Sequence, residues 1–60
     1  MPISRDARLQ QLGAVFALRA LIMHARVQAD MPGAGDVMDA LRDADEATLA
    51  LAKKVGREIE

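Results

Sequence analysis

One segment of this chain is apolar around almost its whole circumference when it is drawn as a helix. Between Leu12 and Ala25 (LGAVFALRALIMHA), only Arg19 and His24 carry polar side chains. A helix at the surface of a globular protein buries one apolar stripe, so a helix that is apolar on several sides needs more than one neighbour. Sixty residues are too few to provide that cover within a single copy. The segment therefore predicts a subunit of an assembly, or a chain that completes its fold on a partner.

Composition limits the ways in which so small a chain can be stabilised. The sequence has no cysteine and one histidine, which excludes disulfides, thiolate metal sites and a histidine-rich metal site within one copy. Residues 1–60 form a single domain, in the size range in which a lone hydrophobic core is marginal. Oligomerisation is the remaining source of stability. We expect no metal and no cofactor.

Charge and aromatic content argue against several functional classes. Eight basic and nine acidic residues give a net charge of −1, which differs from the positive field of a general nucleic-acid binder. Phe16 is the single aromatic residue on which a base could stack. The N-terminal residues lack the pattern of a secretory signal, and the apolar run of 14 residues is shorter than the ~20 that cross a bilayer. We therefore expect a cytoplasmic protein without a membrane span.

A break at residues 29–36 (ADMPGAGD) divides the chain into two stretches of good helix formers. Pro32 disfavours helix at the preceding residue, and the two glycines of the break allow the backbone to reverse. We predict an all-α fold with one helix at about residues 4–30, capped by Ser4, and a second at about residues 36–59. Two near-equal helices joined by a short loop form an antiparallel hairpin. Two such hairpins would form a dimeric four-helix bundle or a higher oligomer.

The predicted first helix carries two apolar strips on roughly opposite sides, separated by two thin polar lines. We predict that one strip meets a heptad seam on the second helix and that the other meets another copy of the chain. The predicted hairpin core consists of Leu18, Leu21, Ile22, Val37, Leu41, Ala44, Leu51 and Val55. The predicted oligomer interface consists of Leu9, Leu12, Phe16, Ala20, Met23 and Val27.

The polar lines hold the candidate contacts to a ligand or partner, which are Arg8, Arg19, His24 and Arg26. The arginines can frame an interface, with their stems packed on it and their heads in water or paired with acids of the second helix. Alternatively they form a site for phosphates or an acidic surface, because guanidinium groups suit phosphate recognition. The histidine can be satisfied by its neighbours, or it can meet its symmetry mate or a ligand across a two-fold axis. With no catalytic set in the sequence, we expect no enzyme.

Part of the second half of the chain resembles a known family. The stretch PGAGDVMDALRDADEATLALAKKV contains a proline turn, an acid, an Ala-Leu pair and an acidic pair followed by alanine: Pro32, Asp36, Ala40, Leu41, Asp45, Glu46 and Ala47. This spacing is similar to that in small phage proteins that sequester cyclic oligonucleotide signals of bacterial immunity. The length and layout of the chain resemble the plasmid Rop-type RNA modulators, which are dimeric four-helix bundles. The resemblances imply a ligand sponge or an RNA binder, and neither assigns binding residues.

The leading hypothesis is a small non-enzymatic interaction protein that self-associates and binds, and inhibits or organises, a partner macromolecule. A regulator from a phage or another mobile element would fit this description, with a second copy and another protein as its partners. One alternative is an oligomeric sponge in which Arg19 and Arg26 of adjacent copies clasp a phosphorylated small molecule such as a cyclic oligonucleotide. The second alternative is a Rop-like RNA binder, although the charge balance makes nucleic acid the less favoured partner.

Overall fold

The computed structural model describes residues 3–59 as two α-helices packed against each other in a hairpin. Helix α1 spans Arg5–Ala29 and helix α2 spans Gly35–Ile59, and each has 25 residues. The molecule is a rod that measures 48 × 17 × 14 Å. The predicted all-α hairpin is confirmed, and the predicted helix bounds differ from the observed ones by at most one residue.

The first helix begins where its capping signal predicts. The hydroxyl of Ser4 accepts a hydrogen bond from the backbone N–H of Ala7 at 3.1 Å, which satisfies one of the N–H groups that the first turn leaves without a partner. Asp6 adds a negative charge near the positive end of the helix dipole. The expected N-cap is therefore confirmed.

The reversal between the helices is a tight turn at Pro32 and Gly33. The N–H of Ala34 donates to the carbonyl of Met31 at 3.2 Å, and Gly33 has a φ of +87°. Proline at the second position of a turn and a positive φ at the third are features of a type II turn, in which glycine is favoured because it has no Cβ. The N–H of Met38 then donates to the carbonyl of Ala34 at 2.8 Å, so α2 starts directly after the turn.

The two helices meet along one stripe of each, and both stripes recur in alternating steps of three and four residues. This is the spacing of a coiled-coil seam. The buried and half-buried members on α1 are Arg8, Leu12, Val15, Arg19, Ile22, Arg26 and Ala29. Those on α2 are Met38, Leu41, Asp45, Thr48, Ala52, Val55 and Ile59. The buried ones among them are Val15, Ile22, Thr48, Ala52 and Val55. The core is thin, because most of these side chains are small and there are few of them.

The predicted hairpin core is partly wrong. Ile22 and Val55 are buried, and Leu41 and Ala44 are half-buried, but four of the predicted core residues are exposed: Leu18, Leu21, Val37 and Leu51. Conversely, Leu12, a member of the predicted oligomer interface, is half-buried against α2. The cause is a rotation of α1: α2 packs on the line of arginines between the two apolar strips and not on either strip. The long arginine stems supply apolar cover there while their heads reach acids of α2.

The consequence of this rotation is that the two apolar strips of α1 lie on either side of its contact with α2 and are exposed to solvent. At 100° per residue, the strips lie about 100° to either side of the seam. We call them the Phe16 flank (Leu9, Gly13, Phe16, Ala20, Met23 and Val27) and the Leu18 flank (Ala14, Leu18, Leu21 and Ala25). Every large side chain in the two flanks is exposed. The hairpin therefore leaves more apolar surface uncovered than the predicted packing would.

By length and composition, α1 also meets the criteria for a membrane-spanning helix. Its most apolar window of 18 residues has a mean hydropathy of 1.2, and 11% of that window is buried in the hairpin. Core helices of water-soluble proteins and N-terminal signal sequences have the same properties, so this feature by itself is weak evidence for a membrane span. The expectation of a chain without a span stays a prediction.

Candidate interaction site

A cluster of three charged side chains lies in the middle of the seam, where Asp45 of α2 faces Arg19 and Arg26 of α1. The Nη2 atom of Arg19 is 3.5 Å from Oδ1 of Asp45, and the Nη1 atom of Arg26 is 3.7 Å from its Oδ2. The two arginines are seven residues apart, so they project from the same side of α1 two turns apart. One carboxylate thus faces two guanidinium groups, and the cluster keeps a net positive charge.

These ion pairs are not supported by hydrogen bonds. Within residues 3–59, the Nε atom of Arg19 and the Oδ1 atom of Asp45 are buried and have no hydrogen-bond partner. The 3.5 Å contact satisfies the distance for an ion pair but lacks hydrogen-bond alignment. The buried hydroxyl of Thr48 donates to the backbone carbonyl of Asp45 at 2.9 Å, so it does not use the carboxylate. The cluster holds the helices together by charge and by the packing of the arginine stems.

Arg8 lies toward the open end of the hairpin and forms a separate contact. Its guanidinium group pairs with the carboxylate of Glu58, and its Nη1 atom donates to Oε1 of Gln11 at 2.9 Å. All three candidate arginines therefore face acids of α2, as expected for arginines that frame an interface. Binding of a phosphate or an acidic partner by these arginines stays a prediction.

His24 is separated from the arginines by half a turn of the helix. It is exposed, and its position in the sequence places it on the side of α1 opposite α2, between the two apolar flanks. The structure therefore does not bring the four candidate polar residues into one site. Two of them, Arg19 and Arg26, meet at Asp45, while Arg8 and His24 lie elsewhere.

The Phe16 flank contains most of the predicted oligomer interface. Phe16 is 53% exposed and Met23 is 56% exposed, and Leu9, Ala20 and Val27 are exposed as well. Large contiguous apolar patches are uncommon on monomeric proteins, and where they occur they mark interaction surfaces. Its role in self-association stays a prediction.

The Leu18 flank continues onto α2. In an antiparallel hairpin, the same side of the molecule carries the apolar stripe of α2 that lies next to the seam. The exposed and half-buried members of this combined surface, which we call the Leu18 face, are Ala14, Leu18, Leu21, Ala25, Val37, Ala40, Ala44, Ala47 and Leu51. It is rich in alanine, so a neighbouring helix could approach closely. The sequence pattern places several of these residues in the hairpin core and so does not reveal this face.

A shallow groove of about 290 Å³ lies at the turn end of the hairpin. It is lined by Met23 and Val27 of α1, Met38 of α2, and the charged side chains of Arg26 and Asp30. The groove extends the Phe16 flank toward α2, and its methionines can adapt their shape to an inserted side chain. Within residues 3–59 there is no group of three or more histidine or acidic side chains that could hold a metal ion.

The surfaces of the hairpin are thus two apolar flanks, one ion cluster inside the seam and an exposed histidine. No protein-family model matches this chain, and no curated protein or solved structure is significantly similar to it. The functional interpretation therefore depends on these surfaces alone.

Proposed function

We propose that this chain is a small non-enzymatic interaction protein. Its hairpins self-associate through α1, and the assembly binds another macromolecule, which it inhibits or organises. The single observation that carries the proposal is that α1 meets α2 on its arginine line and presents apolar flanks to solvent on both sides of it. A helix that exposes apolar surface on both sides of its one intrachain contact is covered in a larger assembly.

The thin core supports the same conclusion. The buried side chains of the seam are small, and the ion pairs at its centre are long, so one hairpin has little to offset the loss of conformational entropy on folding. Burying the exposed half of a side chain such as Phe16 or Leu21 contributes about 1 kcal/mol. Several such side chains on each copy make association a substantial source of stability.

The two ligand-binding alternatives receive less support from the geometry. A sponge for a phosphorylated molecule would use Arg19 and Arg26, whose guanidinium groups already face Asp45 within the chain. A Rop-like RNA binder would use exposed arginines, and Arg8 is engaged with Glu58. An anion would have to compete with these carboxylates, which weakens its binding. Thermal-shift measurements with cyclic di- and trinucleotides test the sponge directly, since a ligand specific for the folded state raises the melting temperature.

Self-association is tested by sedimentation equilibrium together with circular dichroism, from micromolar to millimolar chain concentration. We expect a helical species with at least twice the mass of the chain, and loss of helix on dilution. A chain that stays monomeric and fully helical over the whole range would contradict the proposal.

Partner binding is tested with variants that alter one flank at a time. Leu21→Glu changes the Leu18 face and Phe16→Glu changes the Phe16 flank, and both positions are exposed in the hairpin. A partner captured by the wild type should be lost with one variant and retained with the other when both remain helical. Equal retention by both variants would mean that neither flank binds the partner.

A further inference from the structure

The Phe16 flank has the spacing of a second coiled-coil seam. Its six residues follow one another in steps of four and three, and large side chains alternate with small ones along part of it: Leu9, Gly13, Phe16, Ala20, Met23 and Val27. The flank lies about 100° around α1 from the seam with α2. Neighbouring helices around a four-helix bundle are separated by a similar angle of about 90°. Helix α1 is thus shaped for two helical neighbours, one of which is α2.

We propose that the second neighbour is α1 of another copy, in an antiparallel register centred on residue 18. This inference rests on the self-association proposed above and specifies how it occurs. Rotation about a two-fold axis beside residue 18 places Phe16 opposite Ala20 of the second copy. It places Met23 opposite Gly13, and Leu9 opposite Val27. In an isologous interface each pair occurs twice, so one strip supplies both surfaces.

The pairing is complementary in size. Phe16 is the bulkiest side chain of the flank and faces an alanine, and Met23 faces a residue without a side chain. Large-against-small layers fill space without voids or overlap. In each pair, core position a of the heptad on one helix faces core position d on the other. This is the arrangement of antiparallel coiled coils.

Gly13 gives the most specific support for this register. It lies in the interior of α1, where glycine is less favourable for helix formation than alanine. A Cβ atom placed on Gly13 would meet nothing within 4 Å in the described part of the chain, and Gly33 is the glycine there with a positive φ. The hairpin itself therefore gives no reason for glycine at this position. The side chain of Met23 from a second copy supplies one.

The same register gives the exposed polar residues beside the flank a partner. Gln10 and His24 lie next to the strip on the side away from α2, and in this register Gln10 of one copy comes within two residues, about 3 Å along the axis, of the level of His24 of the other. An amide and an imidazole can share a hydrogen bond at the rim of an interface. Ala17 lies close to the axis and faces its own symmetry mate, so the helices can approach each other there.

The Leu18 flank is the rival dimer surface. The antiparallel register that pairs all four residues of this flank places Leu18 opposite Leu21 and Ala14 opposite Ala25 of the second copy, so large side chains meet large ones and small ones meet small ones. This pairing uses no glycine and leaves Gly13 without an explanation. In the register proposed here, the Leu18 face remains free for another macromolecule.

The test uses Gly13→Ala, with Gly56→Ala as the matched control. Both glycines are inside helices, and an added Cβ at either would have open space around it among the described residues, so both changes favour the helix of the isolated hairpin. By sedimentation equilibrium, Gly13→Ala should weaken dimerisation at least tenfold because its methyl group overlaps with Met23 of the second copy. Gly56→Ala should change the dimerisation constant less than threefold. In a Met23→Ala background, the effect of Gly13→Ala should fall below threefold, as a direct contact requires.

Cysteine crosslinking measures the register independently, since the chain has no natural cysteine. Ala17→Cys should form a dimer with a short bismaleimide, and Leu21→Cys on the opposite flank should not. Crosslinking of Leu21→Cys alone, or dimerisation that is insensitive to Gly13→Ala, would overturn the register while leaving self-association intact. A wild-type chain that stays monomeric at millimolar concentration would overturn both proposals.

Discussion

Among the acidic residues, Asp45 should contribute most to the stability of the hairpin. Replacing it by asparagine keeps the shape and removes the charge. Arg19 and Arg26, which project from the same side of α1, then have no carboxylate of α2 between them. We expect Asp45→Asn to destabilise the fold, because two partly buried guanidinium groups lose their counter-charge.

The expected loss of unfolding free energy follows from the burial of the three charged side chains and from the distances between them. Removing one partner of a fully buried ion pair is destabilising by about 3–5 kcal/mol, and exposed pairs contribute about 0–1 kcal/mol. The side chains of Asp45, Arg19 and Arg26 are 22%, 25% and 36% exposed, and the contacts of 3.5 and 3.7 Å are long. We therefore expect a loss of about 1–2 kcal/mol. For a domain of this size, 1 kcal/mol corresponds to a change in melting temperature of about 4–8 °C.

The matched control is Asp39→Asn. Asp39 also lies on α2 and pairs with Arg42, but these side chains are 69% and 58% exposed. The loss of unfolding free energy in Asp39→Asn should be about 0.5 kcal/mol or less. Thermal and urea unfolding are followed by circular dichroism at one chain concentration for all variants, because association changes the apparent stability. If Asp45→Asn were no more destabilising than Asp39→Asn, the ion cluster would not hold the seam and the reasoning would be refuted.

Three further changes test other parts of the fold by the same unfolding measurements. Ser4→Ala removes the N-cap and should be destabilising by about 1 kcal/mol, whereas Ser4→Asp should retain most of the stability; equal melting temperatures for the two would contradict the capping role. Gly33→Ala places a Cβ at a φ of +87° and should be destabilising by about 1 kcal/mol, with Gly33→Asn less harmful. Ile22→Ala should be destabilising by about 2–3 kcal/mol and Leu21→Ala by less than about 1 kcal/mol at the same chain concentration, since Ile22 is buried in the seam and Leu21 is exposed. A larger loss for Leu21 than for Ile22 would mean that α1 is rotated from the described packing.

The helices and the turn were predictable from the sequence because their signals are local. Ser4 caps α1, and Pro32 with Gly33 gives a reversal that no neighbouring segment has to support. The two stretches between these signals consist of good helix formers. Element bounds and hairpin architecture follow from these features without any knowledge of tertiary contacts.

The rotation of α1 was not predictable from a pattern of apolar and polar residues. Its two apolar strips are nearly equivalent, and a binary pattern counts arginine as polar and so places α2 on one of the strips. The structure places α2 between them, where Arg19 and Arg26 reach Asp45 and their stems cover small core residues such as Val15. One signal in the sequence did indicate the arginine line as the seam. When the arginines are counted with the apolar residues, the seam positions between Arg8 and Ala29 recur in alternating steps of four and three.

The small size of the buried core has a consequence for the abundance of this protein in a cell. When a fold obtains much of its stability from contacts between copies, the fraction of chains that are folded rises with their total concentration. We expect chains produced at low levels to unfold often and to be degraded by proteases, and chains produced at high levels to protect one another. Activity would then increase more steeply than expression, and a fall in synthesis would remove the protein quickly without a dedicated off-switch.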